Sequence, residues 1–301
     1  MDTQNERYEL RQVLKKEDFS YLAEKIKTDF PYCISMYNNL LLASRDHNAG
    51  FQYEFYVPKM YPDSRIVIWI RVDDEAMGLS LHCTEEELPL LLRLVGSTSF
   101  LSLTKGRSLM LYHLSSYVVD PLREKLQKVF NKPSVVYPHP TFTLMQRQDC
   151  PLRCPAGVRV QRLGRAGVRH MLEKSKFSKK DSVDLTCHLT RNIPALGLFL
   201  DPSAKEEMDV DLKGIDFADE DAVPICWVGT YHYGAVGMLE TDEGYRRRGF
   251  GRLLMELVGR LLLADGYIPH ANVEPDNDAS LRMFGKLEGW KETHSCTWVR
   301  I

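Results

Sequence analysis

Long apolar runs are missing from this chain of 301 residues. The two richest stretches, LLLRLVG and LVGRLLLADG, are each broken by an arginine, which argues against a membrane span. A basic excess is missing too. The 39 lysines and arginines face 41 acids, for a formal net charge of -2, whereas a nucleic-acid binder normally carries surplus cations. The opening MDTQNERYEL is polar and acidic, unlike a secretory signal. The 7 cysteines are scattered and odd in number. Cys150 and Cys154 lie four apart, but no second pair follows to complete a zinc site. Also lacking are an H-x-x-x-H metal pair, a G-x-S-x-G nucleophile elbow and a G-x-x-x-x-G-K phosphate loop. The expectation is free thiols, no metal, no bound prosthetic group, no nucleic-acid partner and no membrane span.

What is present is enough apolar material, 44% of residues, to bury a full core in one large domain or two moderate ones. Tyr8 to Lys27 reads as a helix with one apolar side. PDSRIVIWIRVDD, 62–74, centres on a buried strand. TEEELPLLLRLVG reads as a helix, with Thr84 and Glu87 spaced as a capping box. RSLMLYHLSSYV supplies another strand. NKPSVVYPHPTF, 131–142, carries three prolines and reads as an extended linker. The expected units are therefore 1–135, a linker at 136–155, and 156–301.

The second unit orders more clearly. A strand at Val158–Leu163, helices at Gly164–Lys174 and Ser182–Leu189, and a strand at 195–200 come first. Asp201 to Asp221 holds nine acids against two lysines, which favours a solvated loop. PICWVGTYHY and AVGMLETDE form an antiparallel pair around Gly234. A helix at 249–264 shows Leu253, Leu254, Leu257, Val258, Leu261 and Leu262 on one face. YIPHANVE, the short helix and turn NDASLRMFGKLEGW, and the strand SCTWVRI close an α+β unit with a mixed sheet and helices on its faces.

Between a strand and the 249–264 helix stands YRRRGFGR. A helix start leaves amide donors unpaired and adds the positive end of the helix dipole. Gly249 and Gly251 put no side chain in front of those amides, and Arg246, Arg247, Arg248 and Arg252 can add charge-assisted bonds. A diphosphate suits such a place. The dinucleotide fingerprint is excluded because position 254 is Leu rather than the third glycine.

Arg246-x-x-Gly249-x-Gly251 resembles the coenzyme A pyrophosphate motif of the Gcn5-related N-acetyltransferase superfamily. Asn277-Asp-Ala-Ser280-Leu-Arg-Met-Phe284, running on to Gly289-Trp290, is similar to that superfamily's last shared segment. Within it, PICWVGTYHYG followed by EGYRRRG, and TRNIPALGLFLDP before them, resemble the glycine N-acyltransferase and glycine N-acyltransferase-like family. The resemblance implies tandem acetyltransferase-like domains, each a mixed central sheet flanked by helices, the first a degenerate copy. It implies acetyl-CoA or another acyl-CoA as co-substrate and a small amine, glycine or another amino acid, as acceptor. Cytosol or mitochondrion would suit that chemistry.

By the same resemblance, Met238, Leu239, Glu240, Thr241, Arg246, Arg247, Arg248, Gly249, Phe250, Gly251, Arg252, Asn277 and Phe284 would hold the coenzyme. A main-chain amide in Met238–Glu240 would polarise the thioester carbonyl. Two positions depart from the family pattern. The usual glutamate base aligns with Ala235, and the usual tyrosine acid with Phe284. His270, His232 and Glu240 are the replacement candidates for taking a proton, and Ser280 or Tyr267 for giving one. The departures also raise a second expectation, a coenzyme A-binding sensor or structural protein without turnover.

Overall fold

The computed structural model describes residues 6–47, 50–72, 76–104, 107–146, 150–176, 178 and 181–301. Residues 73 and 74 of the expected strand segment, and 147–149 of the expected linker, lie outside the described residues. The first half runs β1 (Leu10–Val13), α1 (Lys16–Ile26), α2 (Ile34–Ser44), β2 (Tyr53–Pro58), β3 (Val67–Val72), β4 (Ala76–His82), α3 (Leu88–Val95), α4 (Thr98–Thr104), β5 (Ser108–Ser115), α5 (Ser116–Phe130) and β6 (Val135–Leu144). The second runs β7 (Arg153–Cys154), β8 (Val158–Arg162), α6 (Arg165–Lys174), α7 (Val183–Asn192), β9 (Leu196–Leu200), β10 (Met208–Asp209), β11 (Cys226–Thr230), β12 (Val236–Thr241), α8 (Phe250–Ala264), β13 (His270–Asn272), α9 (Asp278–Phe284) and β14 (Trp290–Arg300). Apart from the short β7–β10 pair and the extra helix α4, the two halves repeat one order: strand, two helices, three strands, helix, strand, helix, strand. The tandem α+β architecture is thus present.

The repeat differs where it matters. In the first half β4 and β5 are parallel neighbours from Ala76↔Ser108 to Ser80↔Tyr112. Their counterparts β12 and β13 meet only at one parallel bridge, Ala235↔His270, and then part. The first half is closed at the place where the second is open.

Each half gives its last strand to the other. An eight-stranded sheet runs β1-β2-β3-β4-β5-β14-β6-β13, and a four-stranded one runs β12-β11-β9-β8. β14 inserts between β5 and β6, while β6 lies between β14 and β13. Their antiparallel ladder extends from Trp290↔Leu144 to Arg300↔Val135. The expected linker is corrected here, since residues 135–144 are a central strand. Its prolines misled the reading for a physical reason. The Pro140 carbonyl accepts from the Val273 amide at 3.0 Å, so its missing N–H faces the β13 side, where β13 has ended. Pro138, two residues away, faces the same side, so neither proline removes a ladder bond to β14.

Other elements follow local chemistry. Half of the expected capping box forms: Glu87 accepts from the Thr84 amide at 3.3 Å, but the Thr84 hydroxyl bonds the Glu87 carboxylate rather than its amide, and Glu87, not Thr84, is the N-cap of α3. α8 buries Leu254, Leu257, Val258, Leu261 and Leu262 as expected, with Met255 added and Leu253 only partly covered. The expected 8–27 helix is split. Leu10–Val13 pairs with β2 as an edge strand, and the helix begins only at Lys16. The acidic 201–221 segment is mostly irregular, yet it is pinned at Arg162, which exchanges main-chain bonds with Asp216 and Ala218. Arg153 pairs with Asp209 at 3.2 Å.

Where the halves meet, β5, β14, β6 and β13 contribute His113, His294, His139 and His270. Burial pushes all four below the usual imidazole range, His270 and His294 to about 4. They fold neutral and would protonate more readily in the unfolded chain. Their stabilisation is therefore complete above the unfolded value of 6.5 and is lost as pH falls toward 4. A group displaced in this way contributes up to about 3 kcal/mol. Urea midpoints should accordingly fall between pH 6.5 and 4, and a flat profile would contradict the burial of this cluster.

The exchanged strands give a second expectation. Residues 156–301 expressed alone should lack a cooperative unfolding transition, because β13 and β14 lose the strand between them. Co-expression with residues 1–155 should restore one by calorimetry.

Candidate functional site

β12 carries the local distortion that makes the site. Its register with β11 slips between Trp227↔Glu240 and Gly229↔Gly237, so an extra residue bulges at Met238 and Leu239. Met238 has φ of 53°. A bulge turns main-chain groups out of the ladder, and here β13 has already moved away. The gap is a cleft of about 300 Å³. Trp227, Tyr231, Met238, Leu239 and Glu240 form one side, while Asn272, Glu274, Asn277, Ser280 and Phe284 form the other.

Beyond β12 a turn of 3-10 helix, Glu243–Tyr245, leads into the arginine–glycine loop. Arg247 and Gly249 have φ of 62° and 81°. Left-handed residues alternating with ordinary ones curl the chain so that successive amides face one concavity. A non-glycine residue such as Arg247 held there is strained. Among the described residues, no protein acceptor faces the main-chain amides of 247–252, and the first helical bond is Leu253 N to Gly249 O at 3.0 Å. Exposed amide donors at a helix N-terminus are chemically suited to an anion. A methyl group at Gly251 would meet only Leu239, at an ordinary 3.6 Å, so the fold itself does not require glycine there.

The arginines divide in role. Arg246 donates to the Thr241 carbonyl at 2.9 Å and lies 3.6 Å from Glu240. Arg248 donates to the Gly244 carbonyl at 3.1 Å and lies over the Tyr245 ring. Arg252 donates to Glu256 at 2.8 Å and borders a separate hollow with Cys150 and Arg260, not the cleft. Arg247 is exposed beside the free amides. Phe250 is buried and anchors the first turn of α8.

The histidine candidates are not brought to the cleft. His270 is fully buried, and its Nε2 and Nδ1 lie 3.2 Å and 3.3 Å from Ser35 Oγ and Asn38 Nδ2 on α2. It fastens the first half to β13 on the face opposite the cleft. His232 meets the Arg71 guanidinium at 2.6 Å through Nε2. Because arginine only donates, that lone pair is occupied. Burial, with Arg71 adding to it, pushes the His232 imidazole well below its usual range. Neither ring is placed to take a proton in the cleft. Tyr267 is also buried elsewhere, with its hydroxyl 2.8 Å from His47.

Glu240, Ser280, Asn277 and Phe284 do line the cleft. The Asn277 side chain caps α9 by accepting from the Ser280 amide at 3.1 Å. Phe284 stacks on Phe142 of β6, with ring centroids 4.8 Å apart, and carries no hydroxyl.

Sequence reasoning passed over Tyr231. Its ring packs against β12, where a methyl at Gly237 would stand 2.4 Å from it. Burial raises its hydroxyl to about 12, against hydrogen bonding from the Ser175 side chain and the Met238 main chain. The phenol thus stays protonated beside the bulge. The available signal was the period-2 alternation Trp227, Gly229, Tyr231, which puts these residues on one face of β11 and its continuation. Glu274, paired with Lys176 at 2.7 Å across the cleft mouth, was also missed.

A tandem mixed sheet with a bulged strand, a splayed neighbour and an open helix start between them defines the Gcn5-related N-acetyltransferase fold. Comparisons agree with that class. Residues 219–299 match the family model of FR47-like protein. Known structures share the fold over almost the whole chain. A Drosophila protein is 14% identical, covering 97% of this chain and 98% of that one at a TM-score of 0.71. A Gcn5-related N-acetyltransferase from Sphaerobacter thermophilus is 12% identical, covering 97% and 95% at 0.56. A tandem protein of the same class from the clavulanic acid biosynthesis pathway is 12% identical, covering 97% and 98% at 0.53. A search of curated proteins returned no match. Among the described residues no helix is long and apolar enough to cross a membrane.

Two changes test the loop without disturbing the core. Gly251→Ala and Arg247→Glu should each weaken acetyl-CoA binding by about tenfold or more, through lost approach to the amides and reversed charge. Calorimetric titration would measure it, with melting temperature as the control. Unchanged affinity in both would remove the loop from the binding site. Gly249 is the poorer probe, because a side chain at φ of 81° strains the fold by about 1–2 kcal/mol.

Proposed function

We propose that this protein transfers an acyl group from an acyl-CoA to the amine of a small acceptor, glycine or another amino acid. The observation that carries the reading is the run of unpartnered amides at 247–252, set beside a bulged strand that parts from its neighbour. The 247–252 amides would hold the coenzyme diphosphate, and Arg247 would add charge. The cleft between β12 and β13 is where the rest of the coenzyme would extend. That half of the reading needs no particular side chain, so Ala235 and Phe284 leave it intact.

The chemistry is direct displacement. The neutral amine forms a C–N bond to the thioester carbon, the C–S bond breaks, the amine gives up a proton and the thiolate takes one. The Leu239 main-chain amide at the bulge would stabilise the carbonyl oxygen as it gains charge, since the Met238 amide already faces the Tyr231 hydroxyl. Tyr231 supplies a hydroxyl beside the same bulge, which Phe284 cannot. A phenol held protonated can donate to the departing sulfur, the role the family pattern gives to a tyrosine on the last helix. The carboxylates available in the cleft are Glu240 and Glu274, paired with Arg246 and Lys176.

Thiol release from acetyl-CoA, benzoyl-CoA and longer thioesters with a panel of amines tests the activity. Tyr231→Phe keeps the ring against Gly237. It should lower kcat by about tenfold to a hundredfold while leaving acetyl-CoA affinity unchanged. Equal kcat in that variant would take Tyr231 out of the reaction. Coenzyme binding with no turnover across the panel would identify the protein as a binder instead.

A further inference from the structure

Direct displacement leaves a proton on the nitrogen that attacks, and neither His232 nor His270 is placed to take it. Among the described residues, the acidic side chains lining the cleft are Glu240 and Glu274. Their settings differ. Glu240 follows the bulge on the way to the arginine–glycine loop, and its carboxylate lies 3.6 Å from Arg246, which is itself tied to the Thr241 carbonyl. Its charge is turned toward the loop. Glu274 stands on the other wall. The fork opens from the parallel bridge Ala235↔His270, and four residues past that bridge stand Leu239 on β12 and Glu274 just beyond β13. Glu274 is thus level with the amide that would receive the thioester oxygen.

The main chain around Glu274 is fixed on both sides. The Val273 amide donates to the Pro140 carbonyl at 3.0 Å, and the Glu274 carbonyl accepts from the Asn277 amide at 3.0 Å. One carboxylate oxygen, Oε1, accepts from Lys176 Nζ at 2.7 Å. Among the described residues Oε2 accepts no hydrogen bond, and the side chain is 28% exposed. A carboxylate has lone pairs for about four such bonds, so this one keeps capacity for a guest while Lys176 holds its other end. The far side of the same space is the Tyr231 phenol, held protonated by burial first, then by the negative charges of Asp181 and Glu274. A proton donor and a proton acceptor therefore share one cleft beside the bulge.

Resting on the acyl-transfer reading, we infer that Glu274 is the proton acceptor of the reaction and works with Tyr231 as an acid–base pair. The neutral amine bonds to the thioester carbon, which makes its nitrogen acidic, and that proton passes to Glu274 Oε2. The C–S bond breaks, and Tyr231 gives its proton to the departing sulfur. Solvent then carries the proton on Glu274 back to the Tyr231 oxygen. Overall, thioester and neutral amine give amide and free thiol.

The experiment measures thiol release by the full chain with acetyl-CoA and whichever of glycine, phenylalanine and phenethylamine is turned over fastest. Glu274→Gln keeps the size of the side chain but not its basicity. It should lower kcat by about a hundredfold while acetyl-CoA affinity stays within about twofold. Glu274→Asp restores a carboxylate and should run about tenfold faster than Glu274→Gln. Lys176→Met breaks the ion pair but leaves the carboxylate, and should cost less than about threefold in kcat. Melting temperatures check the fold of each variant, and the Asp variant keeps the test open if Glu274→Gln folds poorly. A kcat for Glu274→Gln within about threefold of the unaltered chain, equal rates for the Gln and Asp variants, or an equal loss in Lys176→Met would overturn the assignment while acyl transfer stands. Absence of acetyl-CoA binding, or of turnover with every amine, would overturn both.

Discussion

The pairing of β6 with β14 is the constraint on which the molecule depends. Each strand ends its own half and completes the other, so the sheet runs without a break from β1 to β13. A sheet edge left open at either place would expose unpaired main-chain groups. The exchange therefore makes the two halves one cooperative body, and it brings Trp298 on β14 against Tyr112 on β5. It also closes the region between the halves around histidines that must stay neutral.

The same repeat serves two purposes because one pair of strands differs. β4 and β5 pair over five residues, from Ala76↔Ser108 to Ser80↔Tyr112, where the second half has a single bridge. Its loop before α3 reads Thr84-Glu85-Glu86-Glu87-Leu88-Pro89, acidic and without glycine, where the second half has Arg246 to Gly251. An acidic loop repels a diphosphate, and its Glu87 carboxylate already caps the Thr84 amide. In the second half one bridge at Ala235 and His270 fixes the fork, and the bulge at Met238 turns main-chain groups into it. On the proposed reading, binding and carbonyl polarisation would rest on backbone geometry, which neither Ala235 nor Phe284 alters.

Legibility followed the range of the interactions. The contact between Thr84 and Glu87, the apolar face of α8 and the glycine loop are local, and each was readable from spacing. The strand at 135–144 was not, because its prolines signal a linker unless one knows that their empty side faces the end of β13. β1 was hidden for a similar reason, since only pairing with β2 turns Leu10–Val13 from helix to strand. Among candidate site residues, Glu240, Asn277, Ser280 and Phe284 came together in the cleft. His270 and His232 did not. A histidine's pattern in sequence does not say which side of a sheet it faces, or that Arg71 or Asn38 will occupy its nitrogens.

By itself the sequence determined the helix start, the bare amides and the local positive charge, because these depend on residues within a few positions of one another. Apolar periodicity also ordered the second half as an α+β unit, whereas a copy of it in the first half was expected only from the family resemblance. Tertiary structure alone decided that the units share one sheet, that the cleft opens in only one of them, and that Tyr231 lines it. Those outcomes depend on contacts between residues more than a hundred positions apart, such as Arg71 with His232 and Pro140 with Val273, which no local pattern encodes.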